Sequence, residues 1–537
     1  MHEIVTIQLG QKSNYLATHF WNTQESYFTY SEHEEPLVDH DVHFRPGLGV
    51  GGVETFTPRT VIYDLKGGFG TLRKFNALYD NQHDSSEVVR GLWYGNPRKQ
   101  KRPPLTDSRD GATSTQQEPA IEPTEYQKRL DLGLPTSQLQ DSDVRYWSDF
   151  NRVFFHPRSI VHVNEYELNS QLMPFENWHA GSDLFDSLTR EFDLLDRDIR
   201  PFTEECDHMQ GFQIFTGADD AWGGFAAKYL EHLRDEYGKI SMWTWGIEDA
   251  SRVSRQKQLA RDCNTVRSLS TIGQQASVYV RLATPPSSLP GYVRLQSSSD
   301  WVTTALLCTG LESITLPTRL IANGHKRGSL PLFEDTLNTN GHQNIFELQA
   351  SITNATRRDN HQNTGASAGQ SNGRPLSVED DSGNGQPEPT LFDMNYSPHT
   401  TRSTTSKSSH VFAQVECERG QLDSDSRPLT LDPEERLRRR LDEESVVERY
   451  QTGLQFPVLE TFPDGLFETN RESRGGLDIS AGLVCASGMK DQILHLRDVT
   501  IRYCQLDERE SLYNDLTQMS QYYQFGSESG SDSDQDE

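Results

Sequence analysis

Residues 206–237 constrain the fold of this 537-residue chain more than any other segment. They read CDHMQGFQIFTGADDAWGGFAAKYLEHLRDEY. Residues 211–215 have the apolar pattern of a buried strand, and apolar residues at positions 226, 229, 230, 233 and 237 have the spacing of an amphipathic helix. A strand, a glycine-containing turn and a helix in this order predict an α/β fold with a parallel sheet flanked by helices.

The turn between this strand and helix has an unusual charge for its position. In α/β nucleotide-binding proteins such a junction holds phosphates, because backbone N–H groups and the helix dipole point at the ligand. Here the turn contains Asp219 and Asp220, and two carboxylates at that position repel a phosphate chain. Either aspartate could instead cap the helix N-terminus, since Asp is among the commonest N-cap residues. The pattern predicts the frame of a nucleotide site with altered chemistry.

Three segments in the same order resemble tubulin. They are residues 1–11, in which a buried-strand pattern ends at Gly10, residues 56–65 (FTPRTVIYDL), and residues 206–237. Six motifs resemble the Misato family of tubulin-related proteins: QLG at 8–10, FRPGLG at 44–49, TPRT at 57–60, WSDF at 147–150, FHPRSI at 155–160 and TG at 216–217. The chain is therefore identified as a member of the Misato family, with the clearest likeness over residues 1–245.

This resemblance implies a fold and a cellular role. The fold is a tubulin-like N-terminal domain of the nucleotide-binding type, and the chain adds a second α+β region and disordered insertions. The role is in the distribution of mitochondria and the inheritance of mitochondrial DNA in a fungus-like cell. We expect the protein at the mitochondrion, on its cytosolic face, and also in the cytoplasm.

The resemblance also assigns a vestigial nucleotide site. Its residues are Gly10, Gln11, Asn14, Asp64, Lys66, Thr216 and Gly217. Several departures put nucleotide binding in doubt. Lys12 and Ser13 replace the Cys-Gly of tubulin, most glycines of the phosphate loop are absent, and Lys66 replaces a glutamate that serves the magnesium-bound nucleotide. Lys66 could pair with a phosphate or with the two aspartates, or it could be a solvated loop lysine.

Two functional hypotheses of different class follow from these residues. The first is a non-catalytic protein with cytoskeletal or mitochondrial-surface partners, or with a second copy of itself, and it is motivated by Asp219, Asp220 and Lys66. The second is a divergent protein that binds or hydrolyses GTP, motivated by the retained Gly10, Gln11, Asn14 and Asp64. Binding of GTP without hydrolysis is a third, weaker option. We assign no catalytic residue and no metal ligand, and GTP is the only cofactor considered.

Composition narrows the partners. The formal net charge is −28, so nucleic acid is not expected as a direct ligand. There is no run of about 18 apolar residues, which predicts that no helix spans a membrane, and the N-terminus does not have the Arg-rich pattern of a matrix presequence. The six cysteines are far apart and predict reduced thiols. His33, His40 and His43 form an acidic-histidine cluster, which predicts a polar loop more readily than a metal site.

The remaining sequence divides into segments of different composition. The predicted boundaries are 1–95 for the N-terminal tubulin-like segment, 96–143 for a polar insertion with a basic run at 96–102, 144–350 for the continuing domain, 351–410 for a disordered linker, 411–520 for a C-terminal α+β region and 521–537 for an acidic tail. Asp432 and Pro433 predict the start of a helix to about Tyr450, with a thin apolar stripe at Leu437, Leu441 and Val447. Residues 278–282 predict a strand, residues 302–307 a helix, and residues 482–494 a further small packed unit.

Overall fold

The structure is a computed structural model. It describes residues 2–29, 36–49, 52, 54–72, 121–321, 327–352, 389–398, 409–420, 431–468 and 476–525. The predicted basic run at 96–102, most of the predicted linker at 351–410, the last twelve residues of the acidic tail and His33 lie outside these ranges.

The described chain contains strands and helices in alternation. The strands are β1 (Glu3–Leu9), β2 (Phe44–Leu48), β3 (Glu54–Pro58), β4 (Thr60–Lys66), β5 (Ile160–Glu167), β6 (Met209–Gly217), β7 (Ser241–Asp249), β8 (Val278–Thr284), β9 (Ile345–Ile352), β10 (Met394–Asn395), β11 (Val411–Arg419), β12 (Val446–Thr452), β13 (Phe456–Pro457), β14 (Gly476–Leu477) and β15 (Ile479–Ala486). The helices are α1 (Gln11–Glu25), α2 (Glu125–Asp131), α3 (Trp178–Glu191), α4 (Arg200–Thr203), α5 (Ala221–Glu236), α6 (Arg255–Gln275), α7 (Asp300–Thr315), α8 (Leu330–Leu337), α9 (Pro433–Leu441), α10 (Met489–Tyr503) and α11 (Arg509–Gln521).

One eleven-stranded sheet organises the molecule. Its order is β12-β11-β15-β9-β8-β7-β6-β1-β4-β5, and β10 pairs with β9. The strands from β5 to β9 along this order are all parallel to their neighbours. The predicted α/β class with a parallel sheet flanked by helices is confirmed, as are the strands predicted at residues 4–9, 211–215 and 278–282 and the helix predicted at 302–307.

The central strands are buried on both faces. Every residue of β1 and of β8 is buried, which fits strands that are covered by helices on each side. Helix α1 packs against α7, whereas α5 packs against α3 and α6. The large aromatic residues Trp21, Trp147, Trp243 and Trp245 are almost fully buried in the resulting core. This packing fixes the carboxyl ends of the parallel strands, where a ligand cleft is expected in such a sheet.

The C-terminal region extends the same sheet. Strand β15 lies between β9 and β11 and is antiparallel to both, so residues 482–485 belong to the central sheet rather than to a separate packed unit. Strand β11 also pairs with β12 in parallel. The tubulin-like region and the C-terminal strands therefore share one continuous hydrogen-bonded sheet.

The long helix predicted from Asp432 to about Tyr450 is wrong in its second half. Helix α9 ends at Leu441 and strand β12 begins at Val446, because residues 446–452 pair with β11 over seven positions. The predicted apolar stripe is also wrong. Leu437 and Leu441 are 57% and 75% exposed, while Arg436 is buried 3.6 Å from Glu448.

None of the helices in the described ranges is both long and apolar enough to cross a membrane.

Candidate functional site

A cleft of about 1160 Å³ lies at the carboxyl ends of the parallel strands. Leu9 and Gly10 border it at the end of β1, Gly217 at the end of β6, and Asp249 at the end of β7. Two strand–helix junctions meet there: the β1–α1 junction, residues 9–11, and the β6–α5 junction, residues 217–221. The volume is slightly above the usual range for ligand pockets, about 300–1,000 Å³.

At the β6–α5 junction, the helix N-terminus holds an anion from its own chain. The Asp220 carboxylate accepts a hydrogen bond of 2.8 Å from the backbone N–H of Trp222, so the predicted aspartate cap is confirmed at Asp220. A Cβ at Gly217 would lie 2.5 Å from an oxygen of the same carboxylate. Asp220 therefore occupies the position at which a helix N-terminus would receive a phosphate oxygen.

The side chain of Trp222 fills the space between the two junctions. Gly10 has φ +87° and ψ 174°, a backbone conformation that is essentially confined to glycine, and a Cβ there would lie 2.3 Å from the indole Nε1 of Trp222. The Trp222 ring is 5% exposed and packs edge-on against Phe175 at a centroid distance of 5.1 Å. The sequence analysis did not select Trp222. A bulky indole where tubulins have a glycine-rich loop was the available signal.

Asp219 binds the neighbouring strand end instead of the cleft centre. Its carboxylate accepts the backbone N–H of Asp249 at 2.9 Å and lies 3.9 Å from Nε of Arg261. Burial raises the pKa of Asp219, and burial together with the charge of Asp219 raises the pKa of Asp220. The two carboxylates thus sit in a site that already disfavours negative charge.

Lys12 is the lysine that reaches the acidic cluster. Its Nζ lies 2.8 Å from Oδ2 of Asp249, and Nη2 of Arg261 lies 2.8 Å from the same oxygen. Burial alone would raise the pKa of Asp249, but Lys12 outweighs burial and the pKa falls to about 2. Lys66 is exposed at the end of β4 and does not border the cleft. The structure therefore gives Lys12 the closest of the roles that the sequence suggested for Lys66.

Asp64 is enclosed beside the cleft by hydrogen-bond donors. Its carboxylate accepts bonds from Gln11 Nε2 at 2.5 Å, from Asn14 Nδ2 at 2.7 Å, from Trp147 Nε1 at 3.1 Å and from the backbone N–H of Leu65 at 2.8 Å. Burial raises the pKa of Asp64 to about 6, although these bonds oppose the shift. Gln11, Asn14 and Asp64 are thus brought together as predicted, but Asn14 and Asp64 do not border the cleft.

Thr216 is also turned away from the cleft. Its hydroxyl donates to the carbonyl oxygens of Gly217 at 3.0 Å and Trp222 at 3.2 Å, and the side chain is buried. Of the seven predicted site residues, Gly10, Gln11 and Gly217 border the cleft, whereas Asn14, Asp64, Lys66 and Thr216 do not.

The histidines of the predicted polar loop pack against aromatic rings. His40 stacks on Phe28 at a centroid distance of 3.7 Å, and His43 contacts Phe20 and Trp21 edge-on. Burial lowers the pKa of His43 well below its usual value. The loop prediction is therefore wrong for His43, which belongs to the core. Across the described ranges, no group of three or more His, Cys, Asp or Glu side chains could hold a metal ion.

Comparison with known proteins identifies related chains. A model described as a Misato Segment II tubulin-like domain matches residues 2–132, and a tubulin domain model matches residues 136–320. Protein dml1 of Aspergillus clavatus is 45% identical over 538 residues and covers all of both chains. Protein dml-1 of Neurospora crassa is 43% identical over the full length of both chains, and protein dml1 of Schizosaccharomyces pombe is 32% identical over 67% of this chain and 74% of its own.

These matches agree with the motifs and with the order of strands around the cleft. The relatives extend over the tubulin-like region and also over the C-terminal strands that complete the sheet. The resemblance stated from the sequence is confirmed: the chain belongs to the Misato/DML1 family of tubulin-like proteins.

Proposed function

We propose that this chain is a non-catalytic tubulin-like protein that acts through protein partners in the partitioning of mitochondria and the inheritance of mitochondrial DNA. We place it at the cytosolic face of the mitochondrion and in the cytoplasm. The cellular role rests on the family resemblance. The non-catalytic character rests on one observation, the Asp220 carboxylate that caps the N-terminus of α5.

The physical reason is competition between anions. A phosphate at the α5 N-terminus would approach the Asp220 and Asp219 carboxylates, and two unit charges 4 Å apart repel by about 1 kcal/mol in water and about 4 kcal/mol at the effective dielectric near a protein surface. The Trp222 indole against Gly10 also takes up space between the two junctions. Both features weaken a triphosphate site, and neither weakens a protein-binding surface.

A second candidate function is binding of GTP, with or without hydrolysis. It is favoured by the cleft volume of about 1160 Å³ and by three cationic side chains on its wall, Lys12, Lys257 and Arg261. For this function, the cations would have to exchange their present carboxylate partners for phosphate. Lys12 and Arg261 now bind Asp249, and Lys257 binds Glu176 at 2.8 Å.

Nucleotide content and binding test these alternatives. The full-length protein is purified, acid-extracted and assayed chromatographically for guanine nucleotide, and is then titrated with GTP and magnesium by calorimetry. We expect no co-purified nucleotide and no binding in the micromolar range. Micromolar binding with turnover that is lost in Gln11→Ala would contradict the proposal. If GTP binds without turnover, replacing Asp219 and Asp220 by glycine should tighten it, because the repelling charges are removed.

The cellular role is tested by depletion and rescue. Cells that lack their own copy should distribute mitochondria and mitochondrial DNA unevenly between daughters, and the full-length chain should restore both. A tagged full-length chain should fractionate with mitochondria and be removed by protease added outside the organelle. Normal inheritance after complete depletion, or a protease-protected chain, would refute the corresponding part of the proposal.

A further inference from the structure

The charges on the cleft wall do not balance. Six acidic side chains border the cleft, Glu167, Glu176, Asp219, Asp220, Asp249 and Asp300, against the four basic side chains Lys12, Arg145, Lys257 and Arg261. All four basic side chains already hold a carboxylate. Asp249 pairs with both Lys12 and Arg261, Glu176 with Lys257, and Asp149 with Arg145 at 3.1 Å.

The charge that is left over is negative. Within the described ranges, Asp220, Asp300 and Glu167 have no Lys, Arg or His side chain at salt-bridge distance. Asp300 begins α7, and Glu167 ends β5, so these carboxylates come from different walls of the cleft. A ligand that satisfied them would carry positive charge into the cleft.

A buried hydroxyl gives an independent sign of an unfilled site. Ser13 borders the cleft in the first turn of α1, is fully buried, and its Oγ has no hydrogen-bond partner. Unpartnered buried polar atoms are uncommon in folded proteins, because each costs desolvation without a compensating bond. A polar group of a bound molecule would supply that partner.

The mouth of the cleft is apolar. Ile121 borders the cleft and is 38% exposed, and the loop after β5 places Leu172 and Met173 in solvent at 95% and 55% exposure. Leu172 and Met173 lie between Gln171 and Pro174, both of which border the cleft. Exposed apolar side chains beside a cleft are typical of a binding surface.

We infer that the cleft is a docking site for a segment of a partner protein that presents a lysine or arginine between apolar residues. The cationic group enters toward Asp300 and Asp220, and the apolar neighbours cover Leu172, Met173 and Ile121. The net charge of −28 favours encounter with a basic partner over association of two copies of this chain. This inference rests on the proposed function, since it gives the cleft a protein ligand in place of a nucleotide.

Matched peptides test the charge requirement. The full-length protein is titrated by calorimetry, up to 10 mM peptide, with the acetylated amide of Leu-Arg-Leu and with its citrulline analogue, which keeps the shape and loses the charge. We expect the arginine peptide to bind at least about tenfold more tightly, the factor that about 1.4 kcal/mol produces. Equal affinity of the two peptides, or no binding of the arginine peptide, would overturn the inference.

Matched variants locate the peptide. Asp300→Asn should weaken the arginine peptide about tenfold, while Asp131→Asn, at an exposed carboxylate at the end of α2, should not. If Asp300→Asn does not fold, the exposed rim supplies the test. Leu172→Ser should weaken the Leu-Arg-Leu peptide, and Leu132→Ser, at a leucine 72% exposed away from the cleft, should leave it unchanged. Equal effects of a cleft variant and its control would overturn the assignment.

The same titrations separate this inference from the proposed function. Micromolar binding of GTP with magnesium would contradict the non-catalytic proposal, whatever the peptides do. Absence of GTP binding together with absence of arginine-peptide binding would leave that proposal standing and refute the docking site. Self-association that Leu172→Ser abolishes would assign the cleft mouth to a second copy and would also refute it.

Discussion

The two strand–helix junctions at the cleft have the same architecture and opposite contents. Strands β1 and β6 are parallel neighbours in the sheet, and each leads through a glycine-containing turn into a buried helix. The β1–α1 junction has no side-chain cap, and its Gly10 retains a conformation that is essentially confined to glycine. The β6–α5 junction is capped by Asp220 and contributes Trp222, which covers Gly10.

This difference teaches how a fold can keep a site's frame while its chemistry changes. Backbone positions at the ends of parallel strands are fixed by the sheet and by the helices packed on it. The side chains in the turns are not fixed in this way, so one carboxylate and one indole are enough to fill the space and reverse its charge. The predictions below test the contents of each junction, from the largest expected effect to the smallest.

Gly10→Ala should have the largest effect on stability. The new Cβ would overlap the Trp222 indole, and the backbone conformation is strained for any residue with a side chain. We expect the free energy of unfolding to fall by about 4 kcal/mol, measured by urea denaturation. In Gly10→Ala combined with Trp222→Ala, the clash is absent, so the two losses should add to more than the loss in the double variant. Strict additivity would show that Trp222 does not cover this junction.

The caged Asp64 should make stability depend on pH. Its pKa is about 6 in the folded protein against an ordinary value of 3.8, so the folded protein holds a proton that the unfolded chain releases in this window. The resulting stabilisation is complete below about pH 4 and is lost as the pH rises through 6, a change of about 3 kcal/mol. The measurement is the difference in unfolding free energy between wild type and Asp64→Asn from pH 4 to pH 7. A difference that does not change with pH would contradict the buried, protonatable state of Asp64.

Asp220 variants should separate the cap from the charge. Asp220→Ala removes the hydrogen bond to the N–H of Trp222 and should be less stable than Asp220→Asn by about 1 kcal/mol, because asparagine still caps the helix. Asp220→Asn should be at least as stable as wild type at neutral pH, since it removes a buried charge next to Asp219. A marked loss of stability in Asp220→Asn, with Asp220→Ala as its comparison, would mean that the carboxylate charge itself supports the junction.

Lys12 and Lys66 form a matched pair of lysines with the smallest expected effects. Lys12→Gln breaks a partly buried pair with Asp249 and should lower the free energy of unfolding by about 1 kcal/mol. The Asp249 carboxyl pKa should also rise from about 2, which a carbon-detected NMR titration would report. Lys66→Gln, at an exposed position, should change stability by less than about 0.5 kcal/mol. An unchanged Asp249 pKa in Lys12→Gln would show that Lys12 does not control this wall of the cleft.

Local pattern was sufficient for the tubulin-like part of the fold. The strand at residues 4–9 and the strand–turn–helix at residues 211–237 could be predicted because their apolar residues follow one period without interruption. The Asp220 cap could be narrowed to two residues because Asp is a preferred cap and the helix period begins just after it. The predicted helix to Tyr450 failed because charged residues continue past Leu441, while pairing with β11 decides that residues 446–452 form a strand.

The contents of the cleft could be predicted only in part. The negative charge of the loop is visible in Asp219 and Asp220, and the lysine that compensates it was sought at Lys66. It is Lys12 that meets Asp249, a residue at the end of another strand and 237 positions away in the chain. Trp222 was missed because its contact with Gly10 joins two turns that are distant in sequence.

The sequence by itself determined the family, the parallel α/β frame and the carboxylates in the phosphate-type turn, because apolar periods and loop residues are local properties of the chain. Only the tertiary structure decided that Trp222 covers Gly10, that Lys12 meets Asp249, that Asp64 is enclosed, and that the C-terminal strands complete the same sheet. Each of these depends on which distant segments meet, and the ordering of parallel strands, rather than any local preference, brings them together.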